Sequence, residues 1–302
     1  MGVDMDNKFR GVFAPIPTPF DAGEEIAYPQ LRDNLAKWAR TDLAGVVVLG
    51  SNGEFPYLDS GEKEQLVAFV RENFPRERPV IAGTGCESTR ETIRLTKRAA
   101  ELGADAALVL NPSYYKGAMT AAALQNYFLA VAEASPIPVM LYNMPRNTGI
   151  NLTADLVAAL SSHPNIVGVK DSSGNIVQIA EIVAGAREGF AVFAGSGSFL
   201  LATLLMGGVG GTLAVANVLP GQCTRIAALA GEGRVEEARR LQLQILAVNA
   251  AVTTRWGVAG LKAALDLLGY YGGPPRRPVL GAGEEVRTEL KAMLQKVGAL
   301  AG

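Results

Sequence analysis

The sequence predicts an α/β protein, a closed (β/α)8 TIM barrel with a helical appendage at its C-terminal end. Three observations lead to this prediction. Eight short apolar runs recur about every 25 to 30 residues, amphipathic segments of helix length separate them, and no strand pattern follows residue 219. The alternative, an open doubly wound sheet, usually has fewer strands and a glycine-rich first turn, which is absent after Thr18.

The apolar runs are continuous and do not alternate with polar residues, which is typical of parallel strands covered on both faces. The eight predicted strands are residues 12–17, 45–49, 80–83, 106–110, 138–142, 166–170, 191–195 and 211–215. Because a helical pattern follows each strand pattern along the chain, this order favours a closed parallel barrel.

Helix start signals lie between the predicted strands. Ser88 stands three residues before Glu91, which is the spacing of a capping box. Thr120 and Thr153 precede apolar sets that fall on one helical face. Strand and helix patterns therefore alternate throughout the predicted barrel.

Only helical patterns remain in the last part of the chain. They cover residues 225–231, 234–254, 260–268 and 284–297. We therefore divide the chain into a barrel of residues 1–218 and a helical extension of residues 219–302 that packs on it. The proline-rich residues 274–278 are interpreted as a rigid connection between two tail helices.

Composition and charge exclude several classes of function. With 49% hydrophobic residues, 19% charged residues and a formal net charge of -1, the chain is predicted to be globular and to have no nucleic-acid partner. No stretch is long and apolar enough for a membrane span, and the N-terminus lacks signal and transit patterns. We therefore expect no membrane partner and a cytoplasmic location.

The inventory of metal-binding side chains is small. The chain holds two cysteines, Cys86 and Cys223, and one histidine, His163. Neither cysteine lies in a C-x-x-C pattern, so we expect free thiols and no metal site. His163 precedes the sixth predicted strand, at the end of the barrel opposite the catalytic face, and is interpreted as structural. The absence of a histidine cluster argues against a metal-dependent barrel enzyme.

Catalytic groups of such barrels lie at the carboxyl ends of the strands and in the loops that follow. Lys170 ends the sixth predicted strand, and its amine is the first candidate nucleophile. A lysine with the ordinary pKa near 10.4 is almost wholly protonated at pH 7, so attack on a carbonyl requires a desolvated amine. The alternative, a lysine whose charge reaches solvent or pairs with Asp171, stays open at this point.

The same rule selects other polar residues at the barrel mouth. Tyr142, at the end of the fifth predicted strand, is a candidate general acid and base, or else a core tyrosine with a hydrogen-bonded hydroxyl. Ser51 and Asn52 lie in a loop whose backbone N–H groups suit a carboxylate, although the same letters describe an ordinary turn. The rule also selects Glu54, Tyr114, Tyr115 and Asn143.

Three motifs resemble those of the dihydrodipicolinate synthase and N-acetylneuraminate lyase superfamily, and the likeness runs along almost the whole chain. The motifs are residues 50–54 (GSNGE), 141–145 (LYNMP) and 167–171 (VGVKD). The resemblance implies a class I lyase that binds pyruvate through a lysine imine and needs no metal or other cofactor. It also implies a homotetramer, a dimer of dimers.

By this resemblance, Lys170 would form the imine, Tyr142 would carry protons, and Tyr114 would reach the site of a neighbouring subunit. The GSNGE loop would bind the carboxylate, and Ser172 would contact the distal part of the substrate. The predicted catalytic residues are Lys170, Tyr142 and Tyr114, and the predicted substrate-binding residues are Ser51, Asn52, Asn147, Ser172, Gly195 and Thr212. The predicted partners are a 2-oxo acid and an aldehyde.

Within the superfamily, the chain is most similar to the 4-hydroxy-2-oxoglutarate aldolases. The shared sequence motifs are SNGEFP at residues 51–56, GCEST at 85–89 and GYYGGP at 269–274. Dihydrodipicolinate synthases place an arginine where this chain has Asn147, so the synthase reaction is the second candidate, with Arg146 one residue earlier as a substitute. A third candidate is a 2-oxo-acid-binding protein without catalysis. The aldehyde is expected to be chosen by side chains near Asn147, Ser172 and Ser196.

Overall fold

A computed structural model describes residues 8–301 and forms a closed barrel of eight parallel strands in sequence order. The strands are β1 (Gly11–Pro15), β2 (Gly45–Val48), β3 (Val80–Gly83), β4 (Ala106–Leu110), β5 (Val139–Asn143), β6 (Ile166–Asp171), β7 (Ala191–Ala194) and β8 (Gly210–Thr212). β8 pairs with β1 and closes the ring. The predicted TIM barrel is confirmed.

Helices connect the strands and cover the outside of the barrel, and further helices follow the last strand. They are α1 (Tyr28–Trp38), α2 (Ser60–Asn73), α3 (Thr89–Glu101), α4 (Ala121–Ala134), α5 (Pro145–Thr148), α6 (Ala154–Ser161), α7 (Ile176–Gly185), α8 (Leu200–Leu205), α9 (Pro220–Gly231), α10 (Val235–Ala250), α11 (Gly257–Leu267) and α12 (Glu284–Lys296). A π-helical turn, Ala251–Arg255, joins α10 to α11. No helix within residues 8–301 is both long and apolar enough to cross a bilayer.

The predicted helix starts are largely confirmed. The side chains of Thr120 and Thr153 accept hydrogen bonds from backbone N–H groups in the first turns of α4 and α6. Ser88 caps α3 in the same way, by accepting from the backbone N–H of Glu91. The reciprocal half of the predicted capping box does not form there, because the Glu91 carboxylate pairs with Arg94.

The predicted end of the eighth strand is wrong. Residues 211–215 were expected to be extended, but β8 stops at Thr212 and a 3-10 helix, Ala214–Asn217, follows. The Asn217 side chain fixes this turn by donating to the carbonyls of Pro15 and Ala214, each at 3.0 Å. A buried apolar turn has the same composition as the end of a buried strand, so the pattern does not separate them.

Apolar side chains fill the inside of the barrel below its mouth. Phe13 and Phe193 meet edge to face with ring centroids 5.8 Å apart. They belong to one buried cluster with Ile81, Met140 and, uppermost at the end of β5, Tyr142. The inside of the barrel is therefore a packed core and not a channel.

The C-terminal helices share the apolar core that lies outside the strands. Leu290 and Leu294 of α12 are fully buried in the same cluster as Val46 of β2. α9 packs directly against β1 and α8, so by its contacts it completes the ring of barrel helices. We therefore propose that the appendage begins at α10, later than the division at residue 219.

Candidate active site

Lys170 and Tyr142 lie side by side at the carboxyl ends of neighbouring strands. The register of β5 and β6 pairs Tyr142 with Lys170. The Lys170 Nζ lies 4.1 Å from the centroid of the Tyr142 ring, and each residue is only 4% exposed. Lys170 therefore does not extend to solvent, and the interpretation in which its charge reaches bulk water is excluded.

The neighbouring Asp171 carboxylate is engaged elsewhere. It accepts hydrogen bonds from Asn143 Nδ2 at 2.7 Å, from Gln178 Nε2 at 3.0 Å and from the backbone N–H of Ser173 at 2.8 Å. The Ser173 hydroxyl donates to it as well, and no ion pair joins Asp171 to Lys170 within residues 8–301. Asn143 was expected at the mouth, but it does not line the cavity and is fully buried in this network. The reason is that its side chain, one residue past Tyr142, points to the other face of β5.

The Tyr142 hydroxyl contacts the loop that follows β2. Its oxygen lies 3.2 Å from Ser51 Oγ. Burial alone would raise the pKa of Tyr142, but the positive charge of Lys170 and the hydroxyl groups of Ser51 and Ser172 outweigh it and lower the pKa below its ordinary value. The phenol is thus placed and tuned to release a proton more readily than a free tyrosine.

A cavity of about 600 Å³ opens over these groups. The predicted catalytic and substrate-binding residues line it, with the exception of Tyr114: Ser51, Asn52, Tyr142, Asn147, Lys170, Ser172, Gly195 and Thr212. Tyr114 is 78% exposed, and its ring packs edge to face on Tyr115. Its contribution to a neighbouring subunit's site stays a prediction.

Gly195 and Ser172 depend on each other at the rim of this cavity. A Cβ atom on Gly195 would lie 1.9 Å from Ser172 Oγ, so only glycine leaves room for that hydroxyl. The Ser172 oxygen is buried and has no hydrogen-bond partner within residues 8–301, although it lies close enough to Tyr142 to lower the pKa of the phenol. A buried hydroxyl without a partner is available to a bound ligand.

Glu54 does not lie at the barrel mouth, where the rule that catalytic groups follow the carboxyl ends of the strands (the barrel rule) places it. The rule selected it as a mouth residue, but its side chain turns away from the cavity and forms a buried ion pair with Lys262 of α11 at 2.5 Å. Glu54 adopts a left-handed conformation with φ 55°, and its carboxylate contacts α11. The loop end is therefore fastened to the C-terminal region.

One wall of the cavity comes from the C-terminal region and was not predicted. Thr253 and Thr254 of the π-helical turn, with Gly257 and Val258 of α11, line the cavity together with the residues at the strand ends. Arg146 connects the two walls by donating to the Thr254 carbonyl at 3.2 Å. The barrel rule considers only the loops that follow strands, so these residues carried no signal in the sequence.

The remaining predictions concern residues outside the cavity. His163 Nδ1 accepts a hydrogen bond from the Asn165 backbone at 3.2 Å, which agrees with its structural interpretation. Cys86 and Cys223 are free thiols, as expected. Within residues 8–301, no three His, Cys, Asp or Glu side chains converge in a group able to hold a metal ion.

A buried lysine beside a buried phenol, at the mouth of a barrel, is the site geometry to compare with known proteins. A model of the Dihydrodipicolinate synthetase family matches residues 8–297. The chain belongs to this family. The chain is 42% identical over 286 residues to a probable mitochondrial 4-hydroxy-2-oxoglutarate aldolase of Emericella nidulans. The match covers 93% of the chain and 92% of the relative.

Other members of the family are also similar over nearly their whole length. A 4-hydroxy-tetrahydrodipicolinate synthase of Methanospirillum hungatei JF-1 is 36% identical, with 95% of this chain and 99% of the relative covered. A prophage protein of E. coli K12, solved in complex with pyruvate, has a TM-score of 0.91 at 31% identity, covering 97% and 99% of the two chains. The chain is thus a lyase of the dihydrodipicolinate synthetase family, whose members differ in the reactions named for them.

Proposed function

We propose that this protein is a class I lyase that cleaves a 4-hydroxy-2-oxo acid into pyruvate and an aldehyde, or joins the two, in the manner of a 4-hydroxy-2-oxoglutarate aldolase. The main support for this proposal is the buried Lys170 amine next to the buried Tyr142 phenol. The neighbouring Asp171 carboxylate accepts hydrogen bonds from other donors. The similarity to the Emericella nidulans relative supports the choice of reaction.

The first step is imine formation. The Lys170 ammonium loses a proton to water, and the neutral amine attacks C2 of the 2-oxo acid. The resulting carbinolamine takes up one proton and loses water, which leaves an iminium that can accept an electron pair. Enclosure at the strand ends keeps this amine away from bulk water. Ser51 and Asn52 hold the neighbouring carboxylate, since the first N–H groups of the 3-10 helix Ser51–Gly53 have no acceptor within that helix.

The second step breaks the C3–C4 bond. Tyr142 takes the proton of the 4-hydroxyl, the C3–C4 electron pair moves into the iminium to give an enamine, and the aldehyde leaves. Protonation of the enamine at C3 and hydrolysis return pyruvate and the free Lys170 amine. The lowered pKa of Tyr142 suits this role, because more of the basic phenolate exists at a given pH.

Borohydride trapping tests this proposal directly. With pyruvate present, reduction should fix a pyruvate-derived mass on Lys170, and activity should survive chelators because no metal takes part in the proposed steps. An unmodified Lys170, under conditions that trap a known class I aldolase, would end the proposal. A 2-oxo-acid-binding protein without catalysis would instead show pyruvate affinity by calorimetry that survives Lys170→Ala.

The synthase reaction, which joins pyruvate to aspartate semialdehyde, is the second candidate. Arg146 lines the cavity beside Asn147, so a cation for the semialdehyde carboxylate is within the site. The Methanospirillum hungatei relative carries this name. The two reactions are distinguished by incubating the protein with pyruvate and either glyoxylate, aspartate semialdehyde or a sugar aldehyde. The masses of the products then show which aldehyde has reacted.

We also propose a homotetramer, built as a dimer of dimers, in which Tyr114 reaches a neighbouring site. The exposed Tyr114 and Tyr115 rings support it, because two large aromatic side chains rarely stand together in water without a partner. Sedimentation would measure the assembly. A cytoplasmic location stays a prediction; the Emericella nidulans relative is described as mitochondrial.

A further inference from the structure

The turn that carries Ser51 and Asn52 has an unfavourable backbone conformation at both of its ends. Leu49 precedes it with φ 60° and Glu54 follows it with φ 55°. Side chains with a Cβ atom rarely adopt this left-handed region, and a bulky leucine does so only when its surroundings enforce it. The turn is therefore held in place by contacts outside itself.

The first end of the turn is held by the barrel. The Leu49 carbonyl passes so close to Gly83 of β3 that a Cβ atom there would lie 2.1 Å from its oxygen. Gly83 therefore leaves the space that Leu49 needs to turn. This restraint comes from neighbouring strands and belongs to the barrel itself.

The second end of the turn is held by the tail. Glu54 Oε1 pairs with Lys262 Nζ at 2.5 Å, and Glu54 Oε2 accepts the backbone N–H of Arg276 at 2.9 Å. The two side chains of the ion pair are 2% and 1% exposed. Among the described residues, Lys262 is the sole partner of Oε1, which has no hydrogen-bond donor besides this ion-pair contact.

The partners of Glu54 are themselves immobilised. Lys262 Nζ donates to the Pro274 carbonyl at 2.9 Å and lies 4.5 Å from the centroid of the Phe20 ring. The Arg276 guanidinium binds the Glu62 carboxylate and lies 4.3 Å from the same ring centroid. The proline-rich residues 274–278, predicted as a connection between tail helices, thus also dock on the barrel next to the turn.

Stability alone does not account for this ion pair. Burial lowers the pKa of Lys262 although the Glu54 carboxylate raises it, so the ammonium is not fully compensated for the loss of water. Buried ion pairs are often no more stabilising than apolar side chains of the same volume. A buried ion pair can instead fix the position of the groups it joins, and here it joins the end of the turn to α11.

We propose that Glu54 and Lys262 are positioning residues, through which the C-terminal region sets the orientation of the Ser51–Gly53 turn toward the 2-oxo-acid carboxylate. This inference rests on the proposed function, since it assumes that the turn binds that carboxylate. It makes α11 part of the apparatus for pyruvate recognition, although neither charged side chain lines the cavity.

The test compares pyruvate saturation in two variants. Lys262→Met removes the cation and leaves Glu54 Oε1 buried without its counter-charge, so a loss of stability is expected in this variant. The double variant E54Q/K262M removes both charges with little change of volume and leaves no unpaired buried charge. For each, we would measure the pyruvate concentration that half-saturates borohydride trapping on Lys170, together with KM and kcat.

The double variant should need about tenfold more pyruvate or higher, since a misplacement near 1 Å can cost up to 100-fold. Trapping at saturating pyruvate and the KM for the aldehyde should stay at wild-type values. The matched control is Leu290→Ala, a fully buried tail residue on α12, which should lower the thermal midpoint and leave pyruvate half-saturation unchanged.

Two results overturn the proposal. One is a folded double variant that is half-saturated at the wild-type pyruvate concentration. The other is an equal shift in Leu290→Ala, which would make the effect one of general stability. Failure of the proposed function gives a different result, because the wild-type protein itself would then resist trapping on Lys170.

Discussion

The strand side and the tail side of the cavity are built by different means. On the strand side, the backbone register of β5 and β6 alone places Tyr142 beside Lys170. On the tail side, polar side chains make the connections: Lys262 holds Glu54, and Asn249 of α10 holds the loop after β7. The strand side carries the proposed chemistry, and the tail side shapes the space around it.

This difference predicts how each side responds to substitution. A side chain at a strand end can be changed without moving the backbone, so its removal should affect the chemistry and spare the fold. A side chain that connects the tail to a loop holds backbone in place, so its removal should affect stability and substrate affinity together. The following predictions test that division.

The largest effect is expected from Lys170→Ala. Trapping of pyruvate should disappear and activity should fall to background, because no other group forms the imine. The fold should persist, because the lysine ends a strand and does not fill the core. Circular dichroism and the thermal midpoint check the fold, and loss of structure in this variant would contradict the division between the two sides.

Tyr142→Phe should lower kcat by about 100- to 10,000-fold, the usual contribution of a general acid or base. The variant should still be trapped on Lys170, because imine formation and bond cleavage are separate steps. Steady-state rates and the mass of the reduced adduct give both values. Equal loss of trapping and turnover would mean that Tyr142 acts in imine formation instead.

The pKa of the Tyr142 phenol should also depend on the positive charge of Lys170. In the wild-type protein Tyr142 has a lowered pKa, so the phenolate appears below the ordinary pH near 10 and activity should rise with pH through that titration. In Lys170→Met the charge is gone and burial remains, so the pKa of Tyr142 should move upward. Ultraviolet difference titration, with Lys170→Met/Tyr142→Phe as the blank, measures it.

A smaller effect is expected from Asn249→Ala on the tail side. Asn249 accepts the buried N–H of Gly197 at 3.1 Å and donates to Ser196 Oγ at 3.1 Å. Leaving that N–H without a partner should cost about 1–3 kcal/mol of stability. The KM for the aldehyde should rise while trapping of pyruvate persists. Urea unfolding and steady-state kinetics are the measurements, and an unchanged KM would separate this loop from aldehyde binding.

The smallest effect is expected from Arg239→Gln, the control on the same helix. Arg239 pairs with Glu236 at 2.7 Å on an exposed face of α10. Exposed pairs of this kind contribute little, because water and salt screen them. Stability and kinetics should match the wild type, and a marked change would show that α10 responds to any substitution.

The barrel could be predicted from the sequence because continuous apolar runs and capped amphipathic helices are local patterns. Sequence reasoning also found Lys170 and Tyr142, because both stand at the ends of such runs. It misplaced Glu54 and Asn143, because the barrel rule names a loop or a strand end without saying where each side chain points. It missed Thr253 and Val258, because their approach to the cavity depends on how α10 and α11 pack.

The amino-acid sequence by itself determined the alternation of strands and helices, the closed barrel and the candidate amine and phenol, since these follow from periodicity and from the position of a residue within its strand. Only the tertiary structure decided that Asp171 is engaged by Asn143 and Gln178, and that the tail supplies both a cavity wall and the partner of Glu54. The physical reason is distance along the chain. Contacts between residues as far apart as 54 and 262 leave no periodic trace in either segment.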